Sequence, residues 1–337
     1  MDRKNYSMIA SLLLGCNIAA AGDMAIPVYA SGWAFEAQAV YLQPSYPDLV
    51  NAFLVNQVYT NFNTPLASSP YTLNVPQSSP TWGWGFFLQS SYNFRNSKDM
   101  TVDWLHLHHS SSETITVNSF DATPKNPLQT PATFNAAPQW DSVNAVLGQT
   151  FNFDTASSAR LYGGVQYARL IKNLSSQYAD GSLNTSQIST LNGFGPRIGI
   201  DLFFEPNSML SKIPEGKIYA KSAVSILAGT IGSSWSGNGY QLLNITSNMS
   251  QHVIVPALEA KIGVSRTACK TAHNGQIDLN VEWAWYEYLN GSTVLTSTGG
   301  LESITAQSAR GFDYTVRGNG NIGYQGLQFG LRWTSYA

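Results

Sequence analysis

Residues 82–94, WGWGFFLQSSYNF, alternate between two chemistries. Trp82, Trp84, Phe86, Leu88, Tyr92 and Phe94 fall on one side of an extended chain, and Gly83, Gly85, Phe87, Gln89, Ser91 and Asn93 fall on the other. Successive side chains of a strand point to opposite faces, so this segment has one aromatic wall and one small, polar wall. In a soluble sandwich the apolar side would be core and the other side wet. Here the alternation recurs along the whole chain with no separate apolar domain to bury it. That predicts a membrane β-barrel, with lipid on the greasy side and a water-filled lumen.

Period-two segments fall near 33–42, 82–94, 100–109, 139–153, 159–171, 191–204, 217–228, 252–264, 276–288 and 322–333. Most exceed the ~5–6 residues usual in soluble strands and reach the ~9–11 that cross a bilayer at a tilt. The predicted fold class is therefore all-β, a transmembrane antiparallel up-and-down barrel of ten strands. β-prone stretches at Thr293–Thr296 and Ser303–Ala306 make twelve the alternative count. The clearest lipid-facing sets are Val143, Leu147, Phe151 and Phe153; Phe194, Ile198, Leu202 and Phe204; and Leu327, Phe329, Leu331 and Trp333.

Connections at 95–99, 154–158, 205–216 and 265–275 are short, and those near 43–81, 110–138, 172–190, 229–251 and 289–321 are long. Long and short alternate, so every long loop leaves the same end, as in outer-membrane barrels with short periplasmic turns and longer extracellular loops. The first long loop carries Pro44, Pro47, Pro65, Pro70, Pro76 and Pro80, which exclude a central strand. Leu49, Ala52, Phe53 and Val58 within it approach helical spacing, giving either a short helix over the mouth or a surface turn.

Removing the lipid-facing parity leaves a polar inner wall. Its predicted lumen-lining charges are Glu36, Asp103, Arg160, Arg197, Asp201, Lys221, Glu259, Lys261, Asp278, Glu282 and Arg332. A basic residue facing lipid near mid-bilayer costs roughly 2–4 kcal/mol, so parity and energetics agree on the lumen. These charges either brace neighbouring strands as ion pairs or line a constriction that filters solutes. The inner glycines Gly83, Gly85, Gly164, Gly195, Gly199 and Gly330 either leave room for water or relieve strain at sharp curvature. A ring of ten or twelve strands leaves at most a narrow pore.

Charged residues make up only 11% of the 337 residues, against roughly 25% in soluble domains. The mean hydropathy of −0.12 nevertheless excludes a helical membrane protein. A net charge of −2 offers no basic surface for nucleic acid. Arg3 and Lys4 precede an apolar run from Ile9 to Ala21, which reads as a secretory signal over 1–30, cleaved after Ala30 in preference to Ala21. The barrel is then expected over 31–337. Leu13-Leu14-Gly15-Cys16 is a poor lipoprotein box, and Cys269 is the cysteine left after cleavage.

No catalytic, cofactor or metal site emerges. His106 and His108 share a strand face while His109 points away, and all three sit where a strand meets a loop, which reads as solvated rim. Neither a nucleophile elbow nor a P-loop nor a dinucleotide fingerprint is present. The expectation is a protein that is not an enzyme.

Several segments resemble the Legionella major outer membrane protein family. They are WGWGFFLQSSYNF at 82–94, DMTVDW at 99–104, WDSVNAVLGQTFNF at 140–153, ARLYGGVQYARLIKNL at 159–174, LNGFGPRIGID at 191–201, VPALEAKIGVS at 255–265 and YQGLQFGLRW at 324–333. The resemblance implies an outer-membrane β-barrel of a Gram-negative bacterium that forms pores, with adhesion in some members, and it supplies no catalytic residues. The chain departs from common barrel endings, its last aromatic being the penultimate Tyr336. The expected function is passive diffusion of ions or small solutes through a narrow mixed-charge lumen. The alternative is a surface adhesin or structural barrel whose loops bind host or matrix components, for which the loop aromatics Tyr46, Tyr59, Phe62, Tyr71, Phe120, Phe134, Trp235, Tyr240, Phe312 and Tyr314 argue. Expected partners are outer-membrane lipid and small solutes or ions, and a homo-oligomer is compatible with the sequence.

Overall fold

A computed structural model of the chain describes residues 31–45, 81–94, 96–119, 128–154, 156–178, 183–205, 216–239, 242–271, 275–297 and 314–335. The expected signal over 1–30, residues 46–80 of the first long loop and the chain end at Tyr336 lie outside these residues, while Gln43, Pro44 and Ser45, expected in that loop, end β1, where Pro44 pairs with Tyr324. All described regular structure is strand: β1 Gly32–Ser45, β2 Gly83–Asn93, β3 Lys98–His108, β4 Ser111–Ser119, β5 Leu128–Ala136, β6 Gln139–Asn152, β7 Ser157–Tyr178, β8 Leu183–Phe204, β9 Gly216–Gly239, β10 Leu242–Thr271, β11 Gly275–Ser297 and β12 Tyr314–Ser335. Ten of them close an antiparallel ring, β1-β2-β3-β6-β7-β8-β9-β10-β11-β12, and β12 returns to β1. At the seam Trp33 N–H donates to Ser335 Oγ at 3.2 Å.

The two additional strands among the described residues come from another segment, and Ser303–Ala306, one of the β-prone stretches of 289–321, lies outside those residues. They are β4 and β5, a hairpin from 110–138 that joins the upper part of β7 from Ala132↔Tyr178 to Ala136↔Leu174. Both are nine residues long. Neither has a clean apolar face, so periodicity did not reveal them. Thr293–Thr296 simply continues β11.

The strands also run further than the alternation did. β7 and β8 pair as far as Gln177↔Asn184, and β9 and β10 as far as Gly239↔Leu242, so most of 172–190 and 229–251 is strand. Those extensions are rich in Ser, Thr, Asn and Gln on both faces. Hydrogen bonding between backbones, rather than an apolar face, carries the sheet beyond the greasy band. Phe134, expected in a loop, is 7% exposed within β5.

On the outer surface Trp84, Leu147, Phe194, Ile198, Ile254, Ile262 and Leu331 are exposed, in the predicted parity. Aromatic residues gather at both ends of this band. Trp33 stacks on Phe35 at 5.8 Å and Phe35 on Trp333 at 5.9 Å at the short-turn end. Tyr41 meets Trp82 at 5.0 Å and Trp84 at 4.6 Å towards the other end. Such paired girdles mark the two membrane–water interfaces of a barrel.

Curvature accounts for inner glycines. A Cβ at Gly164 would run into the Ala145 carbonyl of β6, and one at Gly195 into the Ile226 carbonyl of β9. The strain-relief reading therefore holds at these two positions. Gly195→Val is expected to cost about 1–3 kcal/mol through overpacking, seen as a lower urea midpoint of the refolded barrel.

The turn between β6 and β7 is capped by Asp154, whose carboxylate accepts from the amides of Ala156 at 2.7 Å and Ser157 at 2.5 Å. Those amides, Ala156 first, hold its carboxyl below the usual carboxylate range. A group with a lowered folded value stabilises above its unfolded value and loses that contribution as pH falls through the folded one. The protection factors of the Ala156 and Ser157 amides, exchange rates divided into their intrinsic values at each pH, are expected to fall on acidification in that window, and Asp154→Asn is expected to remove that fall.

Candidate functional site

The inner parity of the ten ring strands encloses a cavity of about 470 Å³. It reaches Lys98, Asp154, Ser157, Glu205 and Lys217 at the short-turn end, and its inner limit is set by Phe87, Leu105, Trp140 and Tyr286. Of the predicted lining charges, Glu36, Asp103, Arg160, Arg197, Asp201, Lys221, Glu259, Lys261, Asp278 and Arg332 border it. Glu282 is 1% exposed behind them.

The charges form two ionic clusters and a set of carboxylates held by neutral donors. In the first cluster Arg160 of β7 donates to Asp99 of β3 at 2.7 and 2.5 Å and to Asp201 of β8 at 2.9 Å. In the second, Arg197 meets Glu259 at 2.6 Å, and Lys261 lies 3.2 Å from Glu259 and 3.6 Å from Glu282. Lys221 also lies 3.6 Å from Glu282, whose carboxylate oxygens accept no hydrogen bond among the described residues. Its buried charge faces two ammonium groups, each at the long end of an ion pair. Lys261 additionally sits 4.8 Å above the Phe87 ring.

Amides and hydroxyls hold the remaining acids. Glu36 accepts from Gln38 at 2.6 Å and Asn280 at 2.8 Å. Asp103 accepts from Asn144 at 2.7 Å. Asp278 accepts from Thr267 at 2.9 Å and Gln276 at 2.6 Å. Arg332 lies between Glu36 and Asp278 in the strand register. Reasoning from sequence missed Asp99, one residue before the expected start of its strand, although it shares the parity of Asp103. It also missed Lys172, placed in a loop but 2% exposed on the inner parity of β7.

The inner wall is not polar throughout, which corrects the expectation of a polar lumen: an apolar belt follows the charged half, and beyond it Lys172, Gln187, Ser189 and Ser233 are buried polar groups again. Towards the long-loop end Val40, Leu42, Leu107, Leu170, Leu191, Leu227, Ile231 and Val255 are at most 1% exposed. Below and among them Trp140 of β6 stacks on Tyr324 of β12 with centroids 4.6 Å apart and meets Tyr286 of β11 edge-on at 4.6 Å. Trp140 Nε1–H donates to Tyr288 Oη at 3.1 Å. β6 and β11 are opposite walls, five steps apart either way round the ring. Trp140 and the three tyrosines that meet it thus span the lumen beside the charged chamber. The signal was present in the sequence: Val40-Tyr41-Leu42, Ile226-Leu227 and Ile254-Val255 are apolar on both parities, as in strands buried on two sides.

The histidines divide between the two faces, His109 packing over the inner-parity Gly83. His106 faces outward and its Nδ1 lies 2.7 Å from Asp141 Oδ1. His109 Nε2 lies 2.5 Å from Thr81 Oγ1. Among the described residues no group of three or more His, Cys, Asp or Glu is placed to hold a metal ion.

A closed antiparallel ring with an apolar outer band, two aromatic girdles and a charged interior defines an outer-membrane β-barrel. The sequence profile of the family described as Legionella pneumophila major outer membrane protein precursor matches residues 25–335. The chain belongs to that family, and its location is the outer membrane of a Gram-negative cell. A comparison with curated proteins returns no match. Among solved structures, the outer membrane protease OmpT from Escherichia coli is 9% identical, with 93% of this chain and 99% of that chain covered and a TM-score of 0.39. The P. putida toluene transporter TodX is 7% identical over 92% of this chain and 91% of that one, with a TM-score of 0.33. A Pseudomonas aeruginosa FadL homologue is 9% identical over 91% and 90%, with a TM-score of 0.25.

Proposed function

We propose that the protein is a narrow pore through which ions or small polar solutes diffuse passively, sealed in this conformation by the Trp140 layer. One observation carries the reading: the charged chamber of about 470 Å³ reaches from the short-turn end to that layer. A barrel needing only rigidity gains little from burying ionic groups, because well-packed apolar residues brace as well or better. With short turns towards the periplasm, as is usual for such barrels, the chamber opens to the periplasm and the apolar belt lies on its outer side. The lining charges then act on solute that has entered, and the aromatic layer sets the size limit.

The sealed lumen favours a second reading, a surface barrel whose long loops bind host or matrix components. Single-channel recording of the refolded protein in a planar bilayer separates the two. The pore reading expects discrete steps, with Lys221→Glu moving their ion preference towards cations. A folded, inserted barrel that stays silent, and stays silent in Trp140→Ala as well, overturns it in favour of the second.

A further inference from the structure

Four of the five basic side chains expected to line the lumen commit their charge to carboxylates. Arg160 meets Asp99 and Asp201, Arg197 meets Glu259, Lys261 meets Glu259 and Glu282, and Lys221 meets Glu282. The fifth, Arg332 of β12, makes no hydrogen bond or ion pair with any described residue. Yet an acid stands directly opposite it on each neighbouring strand, Glu36 on β1 and Asp278 on β11. Opposed residues of paired strands have Cβ atoms about 4.5–5.5 Å apart, within reach of a guanidinium on either side. Arg332 closes on neither. All three side chains border the charged chamber.

The two acids are each anchored by one oxygen. Glu36 Oε1 accepts from Gln38 Nε2 at 2.6 Å and from Asn280 Nδ2 at 2.8 Å. Asp278 Oδ1 accepts from Thr267 Oγ1 at 2.9 Å and from Gln276 Nε2 at 2.6 Å. Their second oxygens, Glu36 Oε2 and Asp278 Oδ2, receive no hydrogen bond from the described residues. Glu36 is 4% exposed, so its unused oxygen is largely withdrawn from water while still bordering the chamber. Gly330 makes this anchoring possible, because Asn280 on β11 reaches Glu36 on β1 across it. A Cβ at Gly330 would lie 2.7 Å from Gln38 Cγ. The row therefore presents acid, base and acid, each with unused valence. A buried charge without a partner is costly, and a solute that supplies the partner removes that cost.

We propose that this row binds zwitterionic solutes of the α-amino acid class, the carboxylate seated on Arg332 and the ammonium on the free acid oxygens beside it. Its role as the solute site of a channel rests on the pore reading above. A simple anion would satisfy Arg332 and leave both acids as they are, and a simple cation would do the converse. A solute carrying both charges on one carbon answers both. The guanidinium fork matches a carboxylate through two parallel hydrogen bonds, and an ammonium donates to carboxylate oxygens over a range of directions. A chamber of about 470 Å³ admits such a molecule together with water. The Arg160 cluster shows the contrast, since its guanidinium is already closed on two acids and has nothing to offer a solute.

Calorimetric titration of the refolded barrel with L-alanine, acetate and ethylammonium tests the site, and entry of labelled alanine into barrel-containing liposomes tests the pore. Wild-type protein is expected to bind alanine about tenfold more tightly than either singly charged probe, since each of those forgoes one charge-assisted contact. Arg332→Gln is expected to weaken alanine about tenfold while leaving ethylammonium unchanged. Glu36→Gln with Asp278→Asn is expected to weaken alanine and ethylammonium while leaving acetate unchanged. Arg266→Gln, which removes a cation from the exposed outer parity of β10, should bind as wild type does. Acetate bound as tightly as alanine by wild type reduces the row to an anion site and overturns the proposal. Alanine binding that is absent, or that survives Arg332→Gln undiminished, overturns it as well. Alanine entry without binding overturns the site and keeps the pore, whereas binding without entry overturns the pore reading and keeps the site.

Discussion

Trp140→Ala is expected to convert a mostly closed barrel into a persistently conducting one. The indole bridges β6 to β11 and β12 through its contacts with Tyr286, Tyr288 and Tyr324. Truncating a buried tryptophan also costs about 3–5 kcal/mol, from lost transfer energy and the void left behind. The variant should therefore unfold at a lower urea concentration while still inserting. Trp84→Ala supplies the control: that ring is 58% exposed on the outer surface, so its loss should leave conductance unchanged. Equal conductance in wild type and Trp140→Ala would remove this residue from the permeation path.

The second large effect is expected in stability. Arg160 neutralises Asp99 from one side and Asp201 from the other, tying β3, β7 and β8 together. Its side chain is 15% exposed and those of the acids 8% and 9%, so neither carboxylate can recover full hydration when the guanidinium is gone. Arg160→Ala is expected to destabilise the barrel by about 3–5 kcal/mol, the usual outcome when one member of a buried ionic group is removed. Replacing the acids as well, in Asp99→Asn/Arg160→Met/Asp201→Asn, is expected to recover most of that loss. Urea unfolding followed by tryptophan fluorescence reads both. A triple variant no more stable than Arg160→Ala would show that the ionic contacts themselves, rather than the stranded charges, carry the effect.

Much of this was legible in the sequence because a barrel wall has the simplest code of any fold. Lipid on one side and water on the other impose a strict period of two, and WGWGFFLQSSYNF states it with both faces filled. The ring of ten strands, its outer face and the inward direction of Arg160, Arg197, Glu259 and Lys261 follow from that alternation. The code weakens where its cause is absent. Above the lipid band neither face of β4, β5 or the upper β7 to β10 must be apolar, so those strands read as loops. Asp99 was lost for a smaller reason, a boundary set one residue late.

What the sequence determined by itself, then, is the side of the wall on which each residue lies, since parity along a strand is a local property. Which residues meet across the lumen was decided only by the tertiary structure. Trp140 and Tyr288 are separated by 148 positions and sit on opposite walls, and nothing in either strand announces the other. Their meeting depends on how many strands close the ring and how the registers stagger. Those are properties of the closed barrel as a whole. They decide whether a polar-walled ring is open or sealed.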